Sequence, residues 1–336
     1  MEATAIWFTG VRQVELRREV VPAPGPGQVL IEALASALSH GTELLVYRGQ
    51  VDPALPLDLP TLAGSFGFPI KYGYASVGRV LALGAEVAEL AVGDLVFALH
   101  PHQTHYLAPA QLVTRLPDGL DPLLGVFFAN LETALNLSHD AAPRLGETAV
   151  VFGQGVVGLL TTQTLRRAGA RVIVVEPDPG RRALALALGA AAALAPGPGV
   201  NEALRAANHG RLADLAIEIS GVPAALQAAV ESVLDEGTVV VGSWYGQKPV
   251  SLDLGSRFHR GRLRLRSSQV GQLAPETHPR WDYARRSQTV AELLPDLRLA
   301  ELISQRVPFA EAARAYGLAD TGGPGVLQMV LDYSTG

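Results

Sequence analysis

The 336-residue chain contains no cysteine, which excludes disulfide bonds, thiolate zinc ligands and a cysteine nucleophile. It also lacks an excess of positive charge. Its 27 basic and 32 acidic residues leave a net charge of −5, which offers no electrostatic surface for nucleic acid. The longest apolar run, Ala183 to Ala195, is too short to cross a bilayer, and the first residues lack the basic start and apolar core of a signal peptide. We therefore expect a cytoplasmic protein that binds neither nucleic acid nor membrane.

What the chain does contain is a glycine-rich turn between an apolar run and a helix-compatible segment. The run Thr148 to Phe152 leads into Gly153-Gln154-Gly155-Val156-Val157-Gly158. In such a turn the first glycine permits the tight bend and the second lets the backbone approach a pyrophosphate. The third allows close packing of helix and strand, with the phosphates at the helix N-terminus. The pattern predicts that these six residues bind a dinucleotide.

The next predicted strand ends at an acidic residue. Arg171 to Val175 is followed by Glu176 and Pro177, and Glu176 lies 18 positions after Gly158 (176 − 158). This is about where a Rossmann unit places the carboxylate that binds the ribose hydroxyls, and an acid there repels the 2′-phosphate of NADP. We therefore expect NAD rather than NADP as cofactor. The alternative is a chance acid after an ordinary strand–helix–strand turn.

The pattern of predicted strands and helices divides the chain into two domains. Residues 1–120 hold short β-rich runs separated by turns, whereas 121–274 alternate predicted strands with helices. Such alternation is typical of a doubly wound parallel sheet. From about residue 275 the chain holds two helix-like stretches and a last strand, Val326 to Leu331, which we expect to return to the first domain. The predicted fold is therefore α/β: a β-rich domain, 1–120 completed by 275–336, and a Rossmann domain, 121–274.

This order resembles the medium-chain dehydrogenase/reductase superfamily over essentially the whole chain. Val92-Gly93-Asp94-Leu95-Val96 looks like the family's G-D-x-V turn, and Leu116 to Leu120 like its entry to the coenzyme domain. Glu218-Ile219-Ser220-Gly221 resembles the strand end that passes beside the cofactor. The resemblance implies a GroES-like catalytic domain and an alcohol dehydrogenase-like oxidoreductase. It adds four expected cofactor contacts at the ends of two strands: Ser220, Gly221, Gly242 and Ser243.

The sequence departs from the zinc-dependent members of that superfamily. Where they carry a ligand cysteine, this chain has His40, and where they carry a ligand histidine it has Tyr74. The third ligand region matches Phe128-Ala129-Asn130, and His100 to Tyr106 runs through the place of the four-cysteine lobe. A catalytic zinc needs three protein ligands and an open position. The resemblance therefore implies a member without zinc, and no metal ligands are predicted.

Three histidines within the 100–106 segment offer a competing metal hypothesis. His100, His102 and His105 lie in a predicted loop that contains proline, and their spacing is not a standard zinc pattern. Loop histidines of this kind are more often solvated or hydrogen-bonded. We expect that outcome here.

Without zinc, another group must meet the alkoxide charge that hydride transfer to a ketone develops. The candidates are Tyr74, His40, Thr42 and Asn130, and we expect His40 and Tyr74 to share a hydrogen bond. The alternatives are a Tyr74 that only packs and a Thr42 that only forms a turn. No Tyr-x-x-x-Lys segment of the short-chain dehydrogenase kind is present.

An arginine cluster stands out near the end of the Rossmann domain. Arg262, Arg264 and Arg266 alternate with Leu263 and Leu265, which predicts a half-buried strand with the arginines on one face. The family resemblance implies that this strand pairs across a homodimer. A solvated edge strand and attraction of an anionic substrate are the alternatives.

Three functions are consistent with these features. The first is an NAD-dependent alcohol dehydrogenase or ketone reductase without zinc, acting on a small molecule. The second is a quinone- or enoyl-type reductase, whose relatives commonly use NADPH, and Glu176 argues against it. The third is a catalytically silent NAD(H)-binding protein.

Overall fold

The computed structural model describes residues 1–57, 61, 64–323 and 325–334. It divides into two compact units, the first made of Met1–Ala129 with Ala291–Gly336 and the second of Asn130–Val290. The sequence placed the boundaries at 120/121 and 274/275. In the structure the chain changes unit inside two helices, Phe128–Ala141 and Tyr283–Leu293, where no turn residue marks the change.

The secondary-structure elements follow the predicted progression from β-rich to alternating. The strands in chain order are β1 (Glu2–Gly10), β2 (Gln13–Val20), β3 (Gln28–Leu38), β4 (Ser76–Leu83), β5 (Leu95–Ala98), β6 (His105–Pro109), β7 (Val113–Arg115), β8 (Thr148–Phe152), β9 (Arg171–Val175), β10 (Ala192–Leu194), β11 (Ala213–Glu218), β12 (Val233–Val241), β13 (Arg264–Ser267), β14 (Ile303–Pro308) and β15 (Gln328–Asp332). The α-helices are α1 (Thr42–Tyr47), α2 (Pro122–Gly125), α3 (Phe128–Ala141), α4 (Val156–Arg167), α5 (Pro179–Ala187), α6 (Val200–Ala207), α7 (Pro223–Glu231), α8 (Tyr283–Leu293) and α9 (Ala312–Thr321).

The first unit is built on a mixed sheet in the order β14-β15-β3-β4-β5-β7, with β6 also paired to β3. β1 and β2 form an antiparallel pair beside it. β15 runs antiparallel to β3, with Met329 opposite Leu38, so the C-terminal tail belongs to this unit. Its core collects apolar side chains from both ends of the chain, including Phe8, Tyr316 and Met329. The active-site candidates of this unit follow directly after β3 and precede β4.

The second unit is a parallel sheet in the order β10-β9-β8-β11-β12-β13. The direction of winding reverses between β8 and β11, and ligands of doubly wound sheets bind at such a switch point, outside the carboxyl ends of the strands. Gly153 follows β8 and Ser220 follows β11, so both lie at this point. The fold prediction of a β-rich domain plus a doubly wound parallel sheet is confirmed.

Several local predictions are wrong. The sequence predicts a single helix over Pro122–Ser138. The structure has two helices there, α2 and α3, interrupted at the fully buried Val126 and Phe127. Helix α1 was missed, because the polar segment that precedes it reads as a turn. Among the described residues, no helix has both the length and the apolar character needed to cross a membrane.

The arginine-rich strand also differs from its prediction. β13 begins at Arg264, because Arg262 has a φ of 50° and the Leu263 amide bonds the carbonyl of Phe258. Leu263 is therefore buried ahead of the strand, whereas Leu265 is 40% exposed on it. The two leucines do not share a buried face. The prediction of a half-buried strand with alternating leucines and arginines is therefore wrong.

Candidate active site

The glycine turn of the second unit has the geometry of an anion cradle. Gly153 has a φ of +96°, and a Cβ there would lie 2.7 Å from the Cα of Ser220. A Cβ on Gly158 would lie 2.1 Å from the carbonyl oxygen of Gly153. At Gly155, by contrast, no atom of the described chain lies within 4 Å of an added Cβ. The backbone is thus closed on two sides and open at the start of α4, where N–H groups without helical partners favour a bound phosphate.

Gln154 supports the turn from inside. Its side chain is buried, its Nε2 donates to the carbonyl of Gly153 over 2.8 Å, and its Oε1 accepts from the hydroxyl of Thr162 over 3.0 Å. Val156 and Val157 lie in the first turn of α4 and are half-buried. The side chain of Gln154 therefore holds the turn in shape, and the backbone of the turn is what a ligand meets.

Glu176 lies directly behind the same turn. Its carboxylate accepts from the backbone N–H of Gln154 at 2.7 Å and of Asp178 at 3.0 Å, and the residue is only 4% exposed. The guanidinium of Arg182 donates to the carbonyls of Glu176 at 2.7 Å and Pro177 at 2.8 Å. The structure therefore brings the predicted acid and the predicted glycine turn together, since one is bonded to the other.

The ends of β11 and β12 form the other side of the switch point. The Gly221 amide donates to Ser243 Oγ over 2.8 Å, which joins two of the predicted contacts. Ser220 donates to Glu218 through its amide at 2.7 Å and its hydroxyl at 2.5 Å. Gly242 is packed closely, because a Cβ there would lie 2.7 Å from Leu137 Cδ2.

Glu218 and Tyr245 at this point were not among the predicted site residues. Glu218 is fully buried and also accepts a short hydrogen bond from the Tyr245 hydroxyl. Burial, together with the neighbouring Glu218 carboxylate, raises the pKa of Tyr245 above its usual value. The available sequence signal was the acid itself, which ends an otherwise apolar strand immediately before the Ser220-Gly221 turn.

In the first unit, Tyr74 is joined to the start of α1. Its hydroxyl is hydrogen-bonded to the side chains of Ser39 and Thr42. Burial raises the pKa of Tyr74 to about 12, and the negative charge of Glu43 adds to the shift. The phenol is therefore neutral and protonated at physiological pH. Two of the predicted catalytic residues, Tyr74 and Thr42, are thus brought together.

Of the remaining two candidates, His40 lies between Ser39 and Thr42 in the sequence, and Asn130 lies in the other unit. His40 is half-buried and immediately precedes Gly41, the residue that caps α1. The predicted hydrogen bond between His40 and Tyr74 stays a prediction. Asn130 lies in the first turn of α3 and belongs to the second unit.

The three histidines of the 100–106 segment are held by hydrogen bonds. His100 is buried, stacks on Tyr106 with ring centres 3.8 Å apart, and has its Nδ1 2.9 Å from the Pro101 carbonyl. Burial lowers the pKa of His100 to about 3. His102 is fully buried and bonded at both ring nitrogens, and His105 Nδ1 lies 3.3 Å from Thr104 Oγ1.

The donor set does not fit a zinc ion. Within the described part of the chain, no group of three or more histidine, aspartate or glutamate side chains is arranged to hold a metal. The positions that match the family's ligands supply an imidazole from His40, a phenol from Tyr74 and the methyl group of Ala129. A tetrahedral catalytic site requires three nitrogen, sulfur or carboxylate ligands.

Comparisons with known proteins give consistent matches. The model of the zinc-binding dehydrogenase family matches residues 156–285. D-guloside 3-dehydrogenase of Escherichia coli (strain K12) is 28% identical over 309 residues, 86% of this chain and 88% of that protein. (R,R)-butanediol dehydrogenase of Bacillus subtilis (strain 168) is 30% identical over 264 residues, 69% of this chain and 75% of that protein. A structure from Sinorhizobium meliloti 1021, solved with NADP, superposes with a TM-score of 0.82 at 22% identity over 99% of both chains.

Proposed function

The chain belongs to the medium-chain dehydrogenase/reductase superfamily, as an alcohol dehydrogenase-like oxidoreductase, and we propose that it transfers a hydride between NAD and a small alcohol or ketone without catalytic zinc. We place this activity in the cytoplasm. Two observations support the proposal, one from each unit. The second unit has a glycine turn whose backbone is hydrogen-bonded to Glu176, and the first unit has a protonated Tyr74 at a position that matches a zinc ligand of the family.

The second unit would hold the nicotinamide cofactor. The backbone of Gly153 to Gly158 offers the phosphate cradle, and Ser220, Gly221, Gly242 and Ser243 line the strand ends beside it. Each oxygen of the Glu176 carboxylate accepts one backbone N–H, so each keeps acceptor capacity for a ribose hydroxyl. Because a 2′-phosphate would meet this buried negative charge, the arrangement favours NAD. NADP in the Sinorhizobium meliloti structure is a property of that protein.

The bound nicotinamide supplies the hydride donor or acceptor. The chain's own task is to handle the proton at the substrate oxygen, which gains negative charge as a ketone is reduced. The Tyr74 hydroxyl is a suitable donor, because its high pKa keeps the proton in place until a stronger base forms beside it. The hydroxyls of Ser39 and Thr42 orient the phenol, and each can donate or accept a hydrogen bond.

The position and charges of the arginine-rich strand β13 bear on whether the protein forms a dimer. β13 is the outer strand of its sheet, and its neighbouring arginines are mostly paired with acids. Arg266 pairs with Asp140 at 2.8 Å, and Arg257 with Asp235 at 2.5 Å. Paired arginines offer little attraction to an anionic substrate, whereas the exposed Leu265 and the open strand edge suit pairing with a second copy. We therefore propose a homodimer joined at β13. Light scattering of a Leu265→Lys variant should show monomer.

The function is tested by turnover with purified protein. Oxidation of NADH is followed with a panel of simple ketones and sugar-derived ketones, and reduction of NAD with the matching alcohols and polyols. A second panel of quinones and α,β-unsaturated carbonyls separates C=O from C=C reduction. Turnover confined to the second panel, or none with either panel, would overturn the proposed reaction.

A further inference from the structure

Glu43 and His102 form a fully buried pair near the segment that carries Tyr74. Oε2 of Glu43 lies 3.0 Å from Nε2 of His102, and neither side chain has any solvent exposure. Because a carboxylate can only accept, Nε2 must carry the proton of this bond. Buried polar groups of this kind are costly unless every partner is present, so the pair fixes the position of both chain segments.

Glu43 in turn closes the turn that precedes α1. Its Oε1 accepts from the Ser39 amide at 3.1 Å, while Ser39 Oγ accepts from the Thr42 amide at 3.3 Å. This reciprocal arrangement resembles a capping box, in which a side chain at each end satisfies a backbone donor at the other. Tyr316 donates to the remaining acceptor of Glu43 Oε2 over 2.8 Å. Glu43 therefore sets the positions of Ser39 and Thr42, the two residues that bond the Tyr74 hydroxyl.

His102 also contacts the segment that carries Tyr74. Gly73 has a φ of +136°, and a Cβ placed on it would lie 2.8 Å from both Cδ2 and Nε2 of His102. The imidazole thus packs directly against the backbone one residue before Tyr74. On its other side, His102 Nδ1 lies 2.7 Å from Ser36 Oγ, which is 2.9 Å from the Tyr333 hydroxyl. The imidazole is held from three directions.

We infer that Glu43 and His102 are positioning residues which hold the Ser39–Thr42 turn and the Gly73–Tyr74 segment together and so fix the Tyr74 hydroxyl for proton transfer. The inference rests on the proposed function for its catalytic consequence. Neither side chain is exposed to solvent, so neither touches the substrate.

The test is a double-mutant cycle between His102→Leu and Tyr74→Phe. Displacing a catalytic group by a fraction of an ångström to one ångström costs on the order of 10²-fold in rate, so His102→Leu should lower kcat by about that factor. The Kd of NADH should stay unchanged. If His102 acts through the Tyr74 hydroxyl, adding His102→Leu to Tyr74→Phe should cost little more. Losses that multiply would overturn the inference.

Two further variants guard against simple misfolding. His102→Gln keeps an N–H donor for Glu43 and should recover most of the lost kcat. Tyr106→Phe is the matched control, since it removes a buried hydroxyl bonded to Ser76 at 2.9 Å in the same unit. Equal loss of kcat in Tyr106→Phe and His102→Leu would show a general packing effect and overturn the positioning role.

Hydrogen exchange separates this inference from the proposed function. In His102→Leu, the amides of residues 39–43 and 72–75 should lose protection together, whereas Tyr106→Phe should leave both segments protected. This measurement needs no substrate. Absence of turnover in the unmodified protein would refute the proposed reaction, and unchanged exchange in His102→Leu would refute the positioning role.

Discussion

Nε2 of His102 lies 3.0 Å from Oε2 of Glu43, and this buried contact joins two segments that are 59 positions apart. One segment ends β3 and begins α1; the other leads into β6. Glu43 also lies close enough to Tyr74 for its negative charge to raise the pKa of the phenol. Hydrogen bonds hold this part of the first unit together.

Replacing Tyr74 by Phe should lower kcat steeply. Phe keeps the ring and removes only the hydroxyl, and loss of a positioned general acid costs on the order of 10² to 10⁴ in rate. The affinity for NADH, measured by fluorescence titration, should stay nearly unchanged. Turnover close to wild type would instead assign the proton transfer to Thr42 or water.

Replacing Glu176 by Ser should weaken NADH binding. It should also reduce any preference of the protein for NADH over NADPH. The loss of a charged hydrogen-bond partner costs about 1.5–3 kcal/mol, which is roughly 10- to 100-fold in Kd. Glu202→Gln, an exposed acid on α6, is the control. Tighter binding of NADPH than NADH by the unmodified protein would contradict the assigned cofactor.

Protein purified without chelators should contain well below one zinc per chain. The expectation follows from the donor set of His40, Tyr74 and Ala129, which supplies one imidazole where a catalytic zinc needs three ligands. Elemental analysis by mass spectrometry checks it. Stoichiometric zinc that disappears in His40→Ala would refute the zinc-free assignment.

His100 should make the folded state less stable in acid. Burial lowers its pKa from 6.5 to about 3, so between these values the unfolded chain binds a proton that the folded chain does not. Stability is therefore lost as the pH falls through this window, by at most about 1.4 kcal/mol per pH unit from this group. Urea unfolding between pH 4.5 and 8 should show a shallower pH dependence in His100→Phe, which keeps a ring against Tyr106. An identical pH dependence of the free energy of unfolding in His100→Phe and in the unmodified protein would contradict this prediction.

Gly73→Ala should destabilise the first unit and reduce kcat. Two costs combine there: a φ of +136° and a Cβ 2.8 Å from the His102 ring. Gly93→Ala is the matched control, because Gly93 has a φ of +93° but no described atom within 4 Å of an added Cβ. Backbone strain of about 1–3 kcal/mol is expected in both, and loss of kcat only in Gly73→Ala. Equal kcat in the two variants would show that the His102 contact does not account for a loss of kcat in Gly73→Ala.

The sequence by itself was sufficient for the nucleotide-binding unit. One strand–helix–strand unit requires all three of its features: the tight turn, the close approach of Gly158 to Gly153, and the acid at Glu176. They fall within 24 residues, 153 to 176, so local chemistry alone selects the residue types. The parallel sheet follows from the same alternation of strands and helices.

Only the tertiary structure decided what surrounds Tyr74. His102 looks like a loop histidine and Glu43 like part of a polar turn, because the side chains that bury them are distant in the sequence. Their partners lie 59 positions apart in one case and 273 in the other, where Tyr316 meets Glu43. Whether a polar side chain is solvated or buried depends on which distant groups fold against it, since burial is tolerated only when those groups satisfy its hydrogen bonds. No local pattern records that, and the positions of both residues therefore emerged only from the fold.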